Sequence, residues 1–351
     1  KRKYKVGLFI SPFIISFNER IEINDNYISD NDVLKYINYL YDFSEKYQSK
    51  YNDVIPFFEL TLLMALLYFD DQNIDYAVIE CGLGGRLDST NFLKSDLSII
   101  TNVGYDHMAQ LGDTLEEISY HKMGIIKENS ISLVGVDESL LNSFISYANK
   151  MNTKLIWVNN NIKDINTFNC TSFKYKDISY KTNLLGDYQA FNASLAIEAV
   201  NYFDNSFTVD EINDSLMNTF HPGRLEHISD KPLFFIDGAH NVHAMNALIS
   251  FLKKYNNKKI HILFTALHDK SYKEMIALLD TVANDYIFTT IQDKRKTELN
   301  DFLGLTNKQY QIVSDYREAI SLLLANRDEN DLCIATGSLH FISEIRNYIK
   351  K

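Results

Sequence analysis

Short apolar runs alternate with longer amphipathic stretches through the first two-thirds of the chain. The apolar runs predict strands at residues 6–10, 76–80, 97–103, 132–136 and 155–158. Apolar residues at helical spacing predict helices at residues 30–50, 56–70, 114–127, 138–151 and 190–203. Strands and helices in alternation indicate a parallel sheet wrapped by helices, so the pattern predicts an α/β fold.

Local signals refine this picture. Thr114 is followed three residues later by Glu117, a capping-box spacing that predicts a helix start. Residues 173–175 and 178–181 predict a small hairpin. The aromatic residues Tyr36, Tyr39 and Phe43 lie in a predicted helix, where we expect them to pack in the core.

The pattern restarts after Pro222-Gly223, a pair of residues that favours a break between elements. Strands are predicted beyond it at residues 233–236, 260–264, 286–290, 311–313 and 332–335. We therefore predict a larger N-terminal α/β domain at residues 1–222 and a smaller, Rossmann-like α/β domain at residues 223–351.

Composition narrows the class of protein. Hydrophobic residues make up 46% of the 351 and charged residues 23%, values typical of globular proteins. A net charge of -11 argues against a nucleic-acid partner, and no apolar run is long enough to span a membrane. Three widely spaced cysteines predict neither a disulfide framework nor a zinc cluster, which favours a cytoplasmic protein.

Polar and glycine residues follow the predicted strands at the same end of each. Ligands of open parallel sheets bind beyond the carboxyl ends of the strands. The segments found there begin with Ser11 and continue at residues 80–88, 104–107, 237–241, 265–270 and 336–338. Two such sheet edges that face each other would form a ligand-binding cleft.

The glycines of Gly82-Leu83-Gly84-Gly85 also suggest a dinucleotide-binding turn. That motif requires a helix directly after the glycines. Here the next apolar run, at residues 97–103, is another predicted strand. We therefore interpret residues 82–91 as a loop with a different function.

Several sequence blocks carry a resemblance to a known family. The most specific is the segment from Glu80 to Asn91, ECGLGGRLDSTN, and the others follow in family order along nearly the whole chain. They comprise Ser11-Pro12, Phe17–Arg20, residues 57–59, 101–107, 111–114, 121–125, 185–189 with Asn192, 222–224, 237–241 and 337–339. The chain resembles the folylpolyglutamate synthase and dihydrofolate synthase family, which belongs to the Mur-type ligases.

The resemblance implies an ATP-dependent ligase that adds L-glutamate to dihydropteroate, to tetrahydrofolate or to both, through an acyl phosphate. It implies ATP and Mg²⁺ as cofactors, with K⁺ as a further candidate, and a monomer with small-molecule substrates. Its implied metal ligands are Ser11, Glu80 and His107. Its implied catalytic residues are Lys122, which becomes carbamylated in the family, Arg224 and His240. Its implied nucleotide-binding residues are Asn192, Arg224 and Asp237, and its implied substrate-binding residues are Arg86, Asp88 and Ser338.

From the residues alone, each position also has an ordinary structural interpretation. Glu80 could be an ion-paired glutamate, His107 a hydrogen-bonded histidine, Lys122 a solvated helix lysine and Arg224 a linker charge. Two alternative functions stay open at this point. One is another Mur-type amide ligase, and the other is a non-catalytic homologue that binds folate.

The chain departs from the family pattern at several positions. Phe13, Tyr188 and Val242 replace a usual His, His and Pro. Lys122 is flanked by His121 and Met123 where the family has Glu and Ala. The family also places a phosphate-binding loop before the strand at residues 6–10. The sequence opens at Lys1 without that loop or an initiator Met, so we expect it to begin inside a longer protein.

Overall fold

The computed structural model describes residues 4–325 and 327–350, with the start of the chain, Asn326 and Lys351 outside it. The strands up to residue 182 are β1 (Val6–Phe9), β2 (Ile21–Ile23), β3 (Asn26–Tyr27), β4 (Tyr76–Ile79), β5 (Leu97–Ile100), β6 (Ile131–Val134), β7 (Lys154–Trp157), β8 (Ile162–Thr167), β9 (Thr171–Tyr175) and β10 (Ile178–Thr182). The helices up to residue 217 are α1 (Asp30–Tyr51), α2 (Phe57–Asp71), α3 (Met108–Leu111), α4 (Leu115–Met123), α5 (Glu138–Lys150), α6 (Tyr188–Phe203) and α7 (Val209–Met217).

The rest of the chain forms a second run of alternating elements. Its strands are β11 (Glu226–Asp230), β12 (Leu233–Asp237), β13 (Ile260–Phe264), β14 (Asp285–Phe288), β15 (Gln309–Ile312) and β16 (Leu332–Thr336). Its helices are α8 (Val242–Leu252), α9 (Tyr272–Leu279), α10 (Tyr316–Leu324) and α11 (Leu339–Ile349). The predicted α/β class is confirmed.

The elements before residue 222 form three sheets instead of the single parallel sheet that the pattern suggested. One has the order β3-β2-β1-β4, with β1 parallel to β4, and one has the parallel order β5-β6-β7. The third is the antiparallel sheet β10-β9-β8. The predicted hairpin is therefore part of a three-stranded sheet, whose extra strand Ile162–Thr167 lacks a clear apolar run.

The elements from residue 226 onward share one six-stranded sheet, with the order β11-β12-β16-β13-β14-β15. Five strands are parallel, and β11 pairs with β12 in the antiparallel sense. Every residue of β13 and β16 is buried because helices cover both faces of these central strands. Separate apolar clusters fill the two faces, one around Phe264 and Phe288 and the other around Leu263 and Phe341.

Helix α4 begins as the sequence predicts. The Thr114 hydroxyl accepts a hydrogen bond from the Glu117 amide at 3.2 Å, and the Glu117 carboxylate accepts one from the Thr114 amide at 3.1 Å. The helix ends earlier than predicted, at Met123 instead of residue 127, because Gly124 follows it. A side chain on Gly124 would meet Arg86 Cα at 2.4 Å, so only glycine lets the loop at residues 82–91 pack against this helix end.

The prediction that three aromatic residues of α1 pack in the core is only partly confirmed. Tyr36 is buried with Leu40, one turn further along. Tyr39 and Phe43 were predicted wrongly, since they are 60% and 43% exposed. A helix that packs on one side buries a single stripe of residues, and these two lie four residues apart on a different face.

No helix within residues 4–325 and 327–350 combines the length and the apolar character that a membrane crossing requires.

Candidate active site

A cleft of about 940 Å³ lies between β4 and β5, the facing edge strands of two sheets. Its lining includes Glu80, Asp106, His107 and Lys122 from the first half of the chain, together with Asn241 and His243 from the second. The sequence led us to expect neighbouring strands of one sheet here. Among the described residues, β4 and β5 are instead edge strands of two separate sheets, and both border the cleft.

Glu80 directly follows β4, and its carboxylate accepts a hydrogen bond from the Ser11 backbone amide at 2.8 Å. Burial raises the pKa of Glu80, while the Ser11 hydrogen bond and the positive charge of Arg224 oppose that rise. Although Glu80 is solvent-accessible, its carboxylate lies in a cleft where a bound cation would stabilise the charge, and hard oxygen ligands suit Mg²⁺. The donor set of Ser11 and Glu80 therefore fits the metal that the resemblance implies.

His107 lies across the same cleft, at the start of the short helix α3, with an exposed side chain. Its backbone has a φ of 50°, a left-handed conformation that histidine adopts uncommonly, and its amide donates to Asp106 Oδ1 at 2.9 Å. Within the described ranges, no three His, Cys, Asp or Glu side chains are grouped closely enough to hold a metal. The two protein side chains Glu80 and His107 thus line one cleft without forming a closed metal site.

The loop at residues 82–91 is organised by Asp88. One carboxylate oxygen accepts the Leu83 amide at 2.7 Å, and the other accepts the Thr90 amide at 2.9 Å and the Thr90 hydroxyl at 2.6 Å. The predicted substrate-binding role of Asp88 would thus depend on a carboxylate already engaged by its own loop. Arg86 is exposed, and its guanidinium lies 4.6 Å from the centre of the Tyr120 ring.

Lys122 lies in the last turn of α4 and lines the cleft. Burial lowers the pKa of its ammonium, and the nearby Cys81 and Asp106 side chains only partly offset this effect. An amine with a lowered pKa is neutral in a larger fraction of molecules near pH 7. The neutral form is the one that reacts with CO₂, so this environment is compatible with the predicted carbamylation.

Arg224 acts electrostatically on two carboxylates, Glu80 from the first half of the chain and Asp237 from the second. Its positive charge lowers the pKa of both Glu80 and Asp237, although burial dominates and raises each of them. Asp237 is buried at the end of β12, where it accepts the Leu225 amide at 2.8 Å and the Ala239 amide at 2.9 Å. The predicted nucleotide-binding carboxylate therefore holds the backbone beside Arg224.

The two halves of the chain meet at Asp106, which the sequence placed near the site but gave no role. Its carboxylate accepts hydrogen bonds from Asn241 Nδ2 at 2.8 Å and from Lys270 Nζ at 3.1 Å, and His240 Nε2 lies 3.7 Å away. Burial would raise the pKa of Asp106, but these three partners outweigh it and lower the pKa. Asp106 and its three partners could have been found from the sequence, because each of the four residues follows a predicted strand.

Three predicted site residues remain to be placed: Asn192, Ser338 and His240. Asn192 is exposed on α6 and donates to Gln189 Oε1 at 3.0 Å. Ser338 precedes α11 and is buried, with 2% of its surface exposed, so it does not line the cleft in this conformation. His240 is partly buried, and its Nδ1 lies 3.0 Å from the Gly238 carbonyl.

Comparison with known proteins decides the family. Residues 37–200 match the Mur ligase middle domain, and residues 223–339 match the Mur ligase glutamate ligase domain. The dihydrofolate synthase/folylpolyglutamate synthase of Bacillus subtilis is 34% identical over 367 aligned positions, covering 99% of this chain and 84% of that protein. The chain belongs to the folylpolyglutamate synthase/dihydrofolate synthase family. Lacticaseibacillus casei folylpolyglutamate synthase is a further relative, 30% identical over 97% of this chain and 82% of its own length.

Solved structures of the family share the fold of this chain. Escherichia coli FolC in complex with DHPP and ADP superposes with a TM-score of 0.87 at 23% identity, covering 99% of this chain and 82% of that one. The Yersinia pestis bifunctional synthase complexed with AMPPNP and Mn ion gives a TM-score of 0.86 at 23% identity, covering 99% and 83%.

Membership of this family favours the folate ligase over the other Mur-type amide ligases that the sequence left open. The chain is an ATP-dependent acid–amino-acid ligase that joins glutamate to folates. Nucleotide and a divalent metal are the cofactors of this activity.

Proposed function

We propose that this ligase adds L-glutamate both to dihydropteroate and to tetrahydrofolate, through an acyl phosphate formed in the cleft between β4 and β5. The observation that carries this proposal is the meeting of Glu80, Lys122 and Asp106 of the first half with Asn241 of the second around one cleft. Carboxylate activation requires positive charge around the transferred phosphoryl group, and glutamate ligation then requires a second substrate held nearby.

Ser11, Glu80 and His107 are the proposed ligands of Mg²⁺, which when bound would neutralise charge on the phosphate oxygens. The carboxylate of Glu80 supplies the oxygen that Mg²⁺ prefers, and Ser11 fixes its orientation through a backbone hydrogen bond. An additional K⁺ ion is part of the same proposal. It would bind a different set of oxygen atoms, which we do not assign to residues.

Lys122, Arg224 and His240 are the proposed catalytic residues. Carbamylation of Lys122 would convert a buried amine of lowered pKa into an anion that can face a cation. A planar guanidinium suits the oxygens of a phosphoryl group, so Arg224 would stabilise the charge that develops during transfer. His240, held beside Asp106, would lie close to the phosphate and the incoming glutamate.

The substrates would be held by both domains, which we place at residues 1–222 and 223–351. Asn192 and Asp237 would serve the nucleotide together with Arg224. Arg86 and the loop ordered by Asp88 would contact the folate, and Ser338 would join the substrate site only after α11 shifts, since it is buried here.

The proposal is tested by assaying one purified protein with ATP, Mg²⁺ and radiolabelled L-glutamate against dihydropteroate and tetrahydrofolate in separate reactions. We expect labelled product from both acceptors, with each reaction dependent on ATP and on the metal. Product from only one acceptor would contradict the dual activity.

A further inference from the structure

Glu226 is a buried carboxylate at the start of β11, two residues after Arg224. Its oxygens accept hydrogen bonds from Arg346 Nε at 2.9 Å each and from Lys350 Nζ at 2.8 Å. They also accept the Gly223 backbone amide at 2.9 Å. A buried charge needs such partners, and all of them come from α11 or from the residues just before β11.

A second carboxylate holds the other side of Arg224. Asp237 accepts the Leu225 amide at 2.8 Å, and the neighbouring Gly238 amide donates to the Gly223 carbonyl at 2.8 Å. Both residues that flank Arg224 are therefore tied to the six-stranded sheet or to α11. The segment 223–225 is fixed to the second half of the chain.

The backbone of this segment has an uncommon shape that depends on those ties. Gly223 has a φ of 67° and Leu225 a φ of 44°, and a branched side chain such as leucine seldom adopts that region. Such conformations persist where the surroundings hold them in place.

The Arg224 side chain has no comparable support. Among residues 4–325 and 327–350, its guanidinium makes no hydrogen bond or ion pair, although its charge acts on Glu80 across the cleft and on Tyr188. Its position is thus set by the backbone of residues 223–225. The sequence placed a break between elements at Pro222-Gly223, and these ties make Arg224 part of the second half of the chain.

We propose that Glu226, clamped by Arg346, is a positioning residue that fixes segment 223–225 and so aims Arg224 at the cleft during ligation. This inference rests on the proposed role of Arg224. The alternative is a simple structural ion pair that joins α11 to β11 and has no connection with catalysis.

The experiment is a double-mutant cycle on turnover with Glu226→Gln, Arg224→Ala and the combined variant. Glutamine keeps the size of Glu226 but loses the charge that holds Arg346. We expect Glu226→Gln to lower kcat about tenfold or more, and the combined variant to be no slower than Arg224→Ala alone, because both changes remove one function. If the combined variant instead shows the product of the two single fold-changes in kcat, the proposal is overturned.

Amide exchange gives a readout independent of activity. We expect faster exchange at Gly223 and Leu225 in Glu226→Gln without any ligand, and unchanged exchange would overturn the proposal. Arg346→Lys keeps the positive charge but loses the Nε contact, so it provides a milder second variant if Glu226→Gln fails to fold. Arg346→Lys should show a smaller fall in kcat and a smaller rise in amide exchange than Glu226→Gln. Normal kcat together with normal exchange in Arg346→Lys would also overturn the proposal.

Asp285→Asn is the matched control, because Asp285 is a partly buried, ion-paired carboxylate at the opposite end of the same sheet, where His261 Nδ1 lies 2.7 Å away. It should lower stability without changing kcat or exchange at residues 223–225. If Arg224→Ala itself leaves turnover unchanged, the proposed role of Arg224 fails. If Arg224→Ala lowers kcat and the fold-change from Glu226→Gln multiplies with that from Arg224→Ala, only the positioning role of Glu226 fails.

Discussion

Lys270 Nζ lies 3.1 Å from Asp106 Oδ1, and this ion pair joins the loop after β13 to the residue beside His107. The contact links the two halves of the chain at the edge of the candidate active site. Both side chains are largely buried, at 18% and 28% exposure, so solvent screens the pair less than it screens an exposed one. The halves are therefore coupled by charge at the place where the substrates must meet.

We expect Lys270→Met to lower turnover by about 10- to 100-fold, the size of effect that loss of a charged hydrogen bond produces. The physical reason is that Asp106 loses the ammonium that holds the second half against the first. Steady-state kinetics of ligation checks this, with Lys273→Met at an exposed position of α9 as the control. Equal rates for both variants would show that the ion pair does not contribute to ligation.

Glu80→Gln should abolish metal-dependent turnover and leave the fold intact. The amide keeps the shape of the side chain and an acceptor for the Ser11 amide, but it removes the charge that attracts a cation. Calorimetric titration with Mn²⁺ in the presence of nucleotide measures the loss directly. Glu116→Gln, at an exposed residue of α4, should bind the metal normally. Normal metal affinity in Glu80→Gln would remove Glu80 from the metal site.

Asp88→Ala should raise the Michaelis constant for dihydropteroate far more than that for ATP. The change releases the Leu83 and Thr90 amides, so the loop at residues 82–91 loses its order and no longer presents Arg86. Kinetics with each substrate varied in turn provides the check. If both constants rise equally, the loop supports the whole site instead of the folate alone.

Lys122 should form a carbamate whose fraction rises with pH. Burial lowers the pKa of this lysine, so its reactive neutral form becomes abundant at lower pH than that of an exposed lysine. A carbamate carbon signal in protein equilibrated with ¹³CO₂ is the measurement, and it should vanish in Lys122→Arg. Lys127→Arg is the control, because the Lys127 amine is already bonded to Asn91 at 2.6 and 2.7 Å. A signal that survives Lys122→Arg would place the carbamate elsewhere.

Asp285 should make the protein less stable in acid. Burial alone would raise its pKa, but the hydrogen bond from His261 and the charges of His261 and Arg327 lower it overall. A carboxyl group with a lowered folded pKa contributes stability above its unfolded value, about 3.9, and loses it as pH falls through the folded pKa. Urea unfolding measures the free energy of unfolding from about pH 5 to about pH 3, where a carboxyl group titrates. We expect this free energy to fall less in Asp285→Asn than in the parent. Equal losses of unfolding free energy in the two proteins would show that Asp285 does not cause the loss of stability in acid.

The sequence predicted the elements whose apolar pattern is set by burial on both faces. The central strands at residues 260–264 and 332–335 were placed within a residue, since buried parallel strands are nearly continuous apolar runs. Strand Ile162–Thr167 was missed because it is polar and partly exposed. The antiparallel strand Glu226–Asp230 was missed for a similar reason, since it is mostly polar and its one fully buried residue is a glutamate paired with Arg346.

The candidate site was predicted as a set of strand ends but not as a set of contacts. Position along the chain indicates that Glu80 and Asp106 border one cleft, since each lies at or just after the end of a predicted strand. It does not indicate that the two oxygens of Asp88 are taken by its own loop, or that Ser338 is buried. Those facts depend on side-chain directions, which only the packed structure defines.

The central claim is that the chain activates a folate carboxylate as an acyl phosphate before glutamate attacks. The most direct measurement uses dihydropteroate whose carboxylate oxygens are ¹⁸O, together with ATP, Mg²⁺ and L-glutamate. The account predicts that one ¹⁸O atom appears in each inorganic phosphate released, because the attacking oxygen leaves with the phosphoryl group. Inorganic phosphate without ¹⁸O, formed together with amide product, would contradict the account.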